Sequence, residues 1–220
     1  MPIDDDQTET RFRELLLGGS YPCLGGVGAV RRGDYRLHRH PPLGSAAAVA
    51  QCTANLTDLL RDFPVEACPV AVMVAVFDGP ADLDEAAFET LMWTQLDGMR
   101  QTAGPPLPDL AGRDDNDPAF GFGDRDFFVV GLGPSASRHA RMFLWPTLVF
   151  NALTHSVQLH SEGRHNRMRD RIRARDIRLQ GNLNPNLARS SLAQFSGRDV
   201  GDNWSCPAGF AGSAPERRTP

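Results

Sequence analysis

The sequence predicts a single α+β domain, a mostly antiparallel sheet with helices packed on it. Three short runs carry the sheet: 70–77 (Val-Ala-Val-Met-Val-Ala-Val-Phe), 127–132 (Phe-Phe-Val-Val-Gly-Leu) and 147–153 (Thr-Leu-Val-Phe-Asn-Ala-Leu). Apolar and rich in β-branched residues, with almost no polar alternation, they read as strands buried on both faces. Three further stretches, 46–61, 83–100 and 155–177, have helical spacing or propensity and supply the helices. A length of 220 residues suits one such domain, bounded by a disordered lead-in at 1–12 and a flexible tail at 208–220.

In chain order, Leu15 to Leu17 followed by Gly18-Gly19 indicate a short helix ended by glycine. Between Tyr21 and Leu37, three glycines (25, 26 and 28) suggest a tight turn between edge strands or a close backbone approach. Ser45 can cap the helix 46–61, whose Val49, Cys52, Leu56, Leu59 and Leu60 share a face. Asp82 and Glu85 form a capping box for the helix 83–100, which buries Phe88, Met92, Leu96 and Met99. Trp93 lies off that stripe and is expected to face a pocket or a neighbouring element.

Residues 102–118 are rich in Pro, Gly and Asp and read as an irregular loop. Gly123-Asp124 can turn a hairpin into the strand 127–132. A Gly-Leu-Gly-Pro turn and a short helix at 135–143 then lead to the strand 147–153. The last helix, 155–177, is expected to break at Gly163. Seven arginines between 164 and 178 read as a solvated face, with Asp170 and Asp176 balancing part of the charge. The segment 179–187 is a loop with three Asn and one Gln.

Composition excludes several classes. A net charge of −4 argues against a dedicated nucleic-acid binder, because neutralising phosphate needs a basic surface. No apolar run is long enough for a membrane helix, and the acidic N-terminus is unlike a signal peptide. Cysteines at 23, 52, 68 and 206 have no paired spacing, so neither a zinc site nor a disulfide framework is indicated, and a reducing cytoplasm is the expected compartment. Neither a Gly-x-Ser-x-Gly elbow nor a recognised metal spacing among the six histidines is present.

Gly131-Leu132-Gly133-Pro134-Ser135-Ala136 matches the dinucleotide fingerprint, whose glycines bring a pyrophosphate to a helix N-terminus. Pro134 removes an N–H from that turn, and no acidic residue follows at the distance a ribose needs. The fingerprint is read as a false lead.

Ordered motifs run from about Tyr21 to Pro207: Tyr21-Pro22-Cys23-x-Gly25, the Leu-x-Trp-x-Gln-Leu of 91–96 and the strand 127–132 with Pro134-x-Ala136-Ser137-Arg138-x-Ala140-Arg141. Pro146-x-Leu148-Val149-Phe150-Asn151, Leu179-Gln180-Gly181 with Asn184-Pro185, Ser196-Gly197-Arg198 and Trp204-x-Cys206-Pro207 extend the series. With these matches the chain resembles the YqcI/YcgG family over that range.

The family includes haem-dependent N-hydroxylases acting on guanidine or amine nitrogen in natural-product biosynthesis. The resemblance therefore implies a haem-dependent monooxygenase, with a small-molecule amine or guanidine as substrate and an electron donor as partner. The alternative is a non-catalytic haem- or small-molecule-binding protein of the same family.

The resemblance makes Cys23 the candidate axial thiolate, the competing reading being a small buried hydrophobe. Arg138 and Arg141 become candidate propionate anchors, with structural ion pairing the alternative. Where the family pattern has Asn-x-His, this chain has Asn151-Ala152-Leu153, which makes His155 the alternative iron ligand. Gln180 and Asn184 are candidate substrate contacts, and Asp124 or Asp126 candidate partners for a cationic substrate.

Overall fold

A computed structural model describes residues 5–19, 21–103, 119–153, 164–189 and 191–207. Among the described residues, five α-helices and five strands follow in order: α1 (Asp5–Leu17), α2 (Leu24–Arg32), β1 (Tyr35–His40), α3 (Ala46–Asp62), β2 (Val72–Phe77), α4 (Glu85–Ala103), β3 (Phe120–Phe122), β4 (Arg125–Leu132), β5 (Thr147–Ala152) and α5 (Arg164–Gln180). The strands form one sheet in the order β1-β2-β5-β4-β3. Among these strands β1 and β2 pair in parallel, joined through α3, and the other three pairings are antiparallel. The sheet is therefore mixed with an antiparallel majority.

Strand alternation divides the core into two layers. Met73, Ala75, Phe77, Leu148, Phe150, Phe127 and Val129 face α3 and α4, meeting Cys52, Leu56, Phe88, Met92 and Leu96. Val72, Val74, Val76, Val149, Val130 and Leu132 face the opposite way, against Phe12 and Leu16 of α1 and Val27 and Val30 of α2. All six residues of β2 are buried, so covering on both faces explains its unbroken apolar run. Among the described residues no helix is long and apolar enough to cross a membrane.

Three local readings change. Residues 5–12, expected in the lead-in, are helical, because fully buried Phe12 anchors α1. The glycines at 25, 26 and 28 lie inside α2 rather than in a turn; Cys23 caps that helix, and Gly33, at φ 80°, ends it. Of the helix expected at 135–143, only a 3₁₀ turn at His139–Arg141 forms. The hairpin through Gly123 and the strand positions agree with expectation, to within a few residues at their ends.

Candidate functional site

Cys23 sits at the entry to α2, where its Sγ accepts the Gly26 N–H at 3.4 Å. An N-cap sulfur lies at the positive end of the helix dipole, which favours a thiolate. Nearby Arg141 acts in the same direction, but burial is the larger effect and pushes the thiol up. The resting group is thus a protonated thiol held in a place that rewards deprotonation once a positive partner arrives.

The neighbouring strand supplies a polar group that the sequence did not single out. Asn151, in β5, donates through Nδ2 to the carbonyls of Phe128 and Val149, both at 3.2 Å. Those two acceptors fix the amide, leaving Oδ1 buried with no hydrogen-bond partner. A Cβ placed on Gly26 meets Cys23 Sγ at 3.3 Å and Asn151 Oδ1 at 3.6 Å. The glycine therefore keeps a small space open between sulfur and amide oxygen. Above Gly25 an added Cβ meets nothing within 4 Å.

Asp126 lies on the same face of the sheet, two residues before Phe128, whose register partner is Asn151. It is buried, and its carbonyl accepts the Leu153 N–H at 2.8 Å. Asp124 is exposed in the hairpin turn, away from this corner. Tyr21 closes the near side: its hydroxyl donates to the Ala140 carbonyl at 3.0 Å, and burial raises its pKa. His155 falls outside the described residues.

The two arginines are placed differently from the propionate expectation. Arg138 donates to Asp176 Oδ2 at 2.9 Å, and to the side chain and carbonyl of Asn182 at 3.1 and 3.2 Å. Arg141 donates to the carbonyls of Gly131, Phe195 and Gln194 at 3.2, 3.1 and 2.8 Å. Both forks tie distant segments of the chain together, the structural alternative the sequence left open. Asp176 and Asn182, which complete the Arg138 network, are 38 and 44 residues away in sequence, so no local pattern announced them.

Gln180 and Asn184 do come together with Arg138, around an open cleft of about 380 Å³ that also includes Ser137, Asn182 and Asp199. Their amides are employed within the fold. Gln180 accepts the His139 N–H at 2.7 Å and donates to the Ser137 carbonyl at 3.1 Å. Asn184 Oδ1 accepts the Asn186 N–H at 3.0 Å.

The Gly131 turn also has a clear structural role. Its N–H donates to the Phe195 carbonyl at 2.7 Å, and a Cβ there comes within 2.6 Å of the Phe88 ring. The N–H and hydroxyl of Ser137, beyond the turn, both donate to the Glu85 carboxylate at 2.9 Å, so these two donors already serve a negative group of the protein itself. Gly131→Ala is expected to lower the unfolding free energy by about 1–3 kcal/mol through overpacking of Phe88. Urea denaturation measures this, and an unchanged midpoint would mean that Phe88 and its neighbours yield without strain.

Among the described residues, no three His, Cys, Asp or Glu side chains gather to hold a metal ion by themselves. Comparison with protein families matches the YqcI/YcgG family over residues 12–209. No curated protein and no solved structure matches the chain.

Proposed function

The chain belongs to the YqcI/YcgG family, and from that premise we propose that it is a haem-dependent oxygenase hydroxylating the nitrogen of a small-molecule amine or guanidine, in a cytoplasmic natural-product pathway. The observation that carries this reading is the corner formed by Cys23, Gly25, Gly26 and Asn151. There a helix-capping sulfur, a side-chain-free surface and a buried acceptor without a donor lie together. These fit an axial thiolate and its surroundings. Arg138 and Arg141 do not fit as propionate anchors, because their forks already serve Asp176, Asn182 and backbone carbonyls.

Haem held by Cys23 would supply oxygen activation, which electron donation from the thiolate sulfur would assist. The protein's own contribution begins with a proton. Because burial holds the Cys23 thiol protonated, ligation must release that proton. The α2 dipole and Arg141 stabilise the sulfur once it is charged. Asn151 Oδ1, in contact with the same added Cβ as the sulfur, would offer a buried acceptor beside the ligating sulfur rather than a substrate contact.

Absorption spectroscopy of protein produced with haem supplied tests the assignment. A stoichiometric Soret band is expected, with a red-shifted ferrous–CO band typical of a thiolate ligand, and Cys23→Ala should remove that signature. Affinity should rise about tenfold per pH unit while the free thiol remains protonated, since one proton is released. A band untouched by Cys23→Ala but lost in His155→Ala moves the ligand to the histidine. Absence of any stoichiometric band overturns the oxygenase reading.

A further inference from the structure

A second site lies on the opposite side of the sheet, where α4 meets the 196–207 segment. An open groove of about 330 Å³ runs between Glu89, Thr90, Trp93, Thr94 and Asp97 of α4 and Trp204 and Pro207 across from them. Trp93 stacks on Phe195 with centroids 5.8 Å apart, and its centroid is 6.3 Å from that of Trp204. Phe195 thus fixes the angle of one indole.

Glu89 fixes the other. Its Oε1 accepts Trp204 Nε1–H at 3.1 Å and the Ser196 hydroxyl at 3.3 Å, while Arg198 donates to Oε2 through Nε at 2.7 Å and through a second guanidinium nitrogen. The three polar partners of one carboxylate hold Trp204 across the groove as a preset wall.

The chemistry of the lining is one-sided. The hydroxyls of Thr90 and Thr94 donate to the Ala86 and Thr90 carbonyls, at 2.9 and 3.0 Å, so towards a ligand they can only accept. Among the described residues no Lys, Arg or His lines the groove, whereas two carboxylates do. Arg198 pairs with Glu89 and Arg100 with Asp97, so each carboxylate already has one cationic partner, and Asp97, the more exposed of the two, is the recognition group. Asp97 is bonded to Arg100 at 3.1 Å and to Gln101 at 2.6 Å, and its side chain is 36% exposed. A carboxylate offers about four lone-pair sites, so these bonds leave room for another donor.

A wall of acceptors, combined with the Trp204 indole set against buried Trp93, describes a receptor for an organic cation bearing N–H groups, held by cation–π attraction and a carboxylate. We propose that this groove binds an alkylammonium or guanidinium group, at a site separate from the Cys23 corner. The groove is independent of haem: α4 and Trp204 pack with the α3–α4 layer, whereas Cys23 packs with the α1–α2 layer.

The three tryptophans give the test an internal control, because Trp145 packs in the opposite layer. In ¹H–¹⁵N spectra of the haem-free full chain, n-butylammonium titration should shift the Trp93 and Trp204 indole resonances saturably and leave Trp145 in place. n-Butanol, the neutral analogue, should not. Asp97→Asn, at a half-exposed position, should weaken n-butylammonium binding by about two- to fivefold, and Trp204→Leu by a similar factor, about two- to fivefold. Equal shifts with n-butanol would reduce the groove to a greasy surface. No saturable shift, or undiminished affinity in Asp97→Asn, would overturn the proposal.

Discussion

Arg138→Ala is expected to lower the unfolding free energy by about 3–5 kcal/mol, because it strands a buried carboxylate. Arg138 and Asp176 pair at 2.9 Å with side chains that are each 9% exposed. Without the guanidinium, Asp176 Oδ2 keeps only the Asn184 N–H at 2.8 Å, and the Asn182 side chain and carbonyl lose their donors as well. The loss falls on the join between α5, its following loop and the turn after β4. Replacing both partners with apolar residues, Arg138→Met with Asp176→Leu, should recover much of the stability, since neither ion is then left buried alone. Recovery stays incomplete because the Asn184 N–H still lacks its acceptor.

Urea denaturation of haem-free protein measures these changes and separates two roles for Arg138. A propionate anchor leaves the haem-free stability nearly unchanged and lowers haem affinity. A structural fork lowers stability with or without haem. The geometry predicts the second.

What the sequence made legible follows from the range of the interactions involved. β2, β4 and β5 could be read because burial on both faces leaves a local trace, an apolar run. α3 and α4 could be read because one buried stripe repeats at helical spacing. α2 could not: turn chemistry pointed to Gly25, Gly26 and Gly28 as a bend, whereas the cap at Cys23 and packing in the α1–α2 layer make them helical. The fingerprint at Gly131 failed for a related reason. Its glycine is required by the ring of Phe88 and the carbonyl of Phe195, contacts separated by 43 and 64 positions (131 minus 88, and 195 minus 131). Cys23 was singled out through its family motif. Asn151 belonged to a matched motif too, yet only its two carbonyl acceptors show that its oxygen is left unused.

His40 provides the second large effect, one that a change of pH can expose without mutation. The ring is buried at the end of β1, beside Phe77 at a centroid distance of 5.5 Å. Nδ1 lies 3.1 Å from the His38 carbonyl and must donate, so Nε2, 3.1 Å from Asn55 Nδ2, must accept. A second proton on Nε2 would turn that acceptor into a donor facing the Asn55 amide. Burial first, and His38 second, hold the His40 pKa down from 6.5 to about 4, with the His38 and Val76 backbone and Asp78 opposing weakly.

A pKa lower in the folded than in the unfolded chain means that the unfolded state binds the proton first. Stability is therefore complete above pH 6.5, declines as pH falls towards 4, and the total loss from His40 approaches about 3 kcal/mol. Between pH 6 and pH 5, above the ordinary carboxylate range, the slope should be about 1.2 kcal/mol per unit. His38, whose pKa is also lowered by burial, adds in the same direction. Urea midpoints of wild type and His40→Gln across this window isolate the His40 share. The variant should start less stable and lose most of the slope. Parallel curves for the two proteins would show that His40 does not titrate as its burial and bonding require.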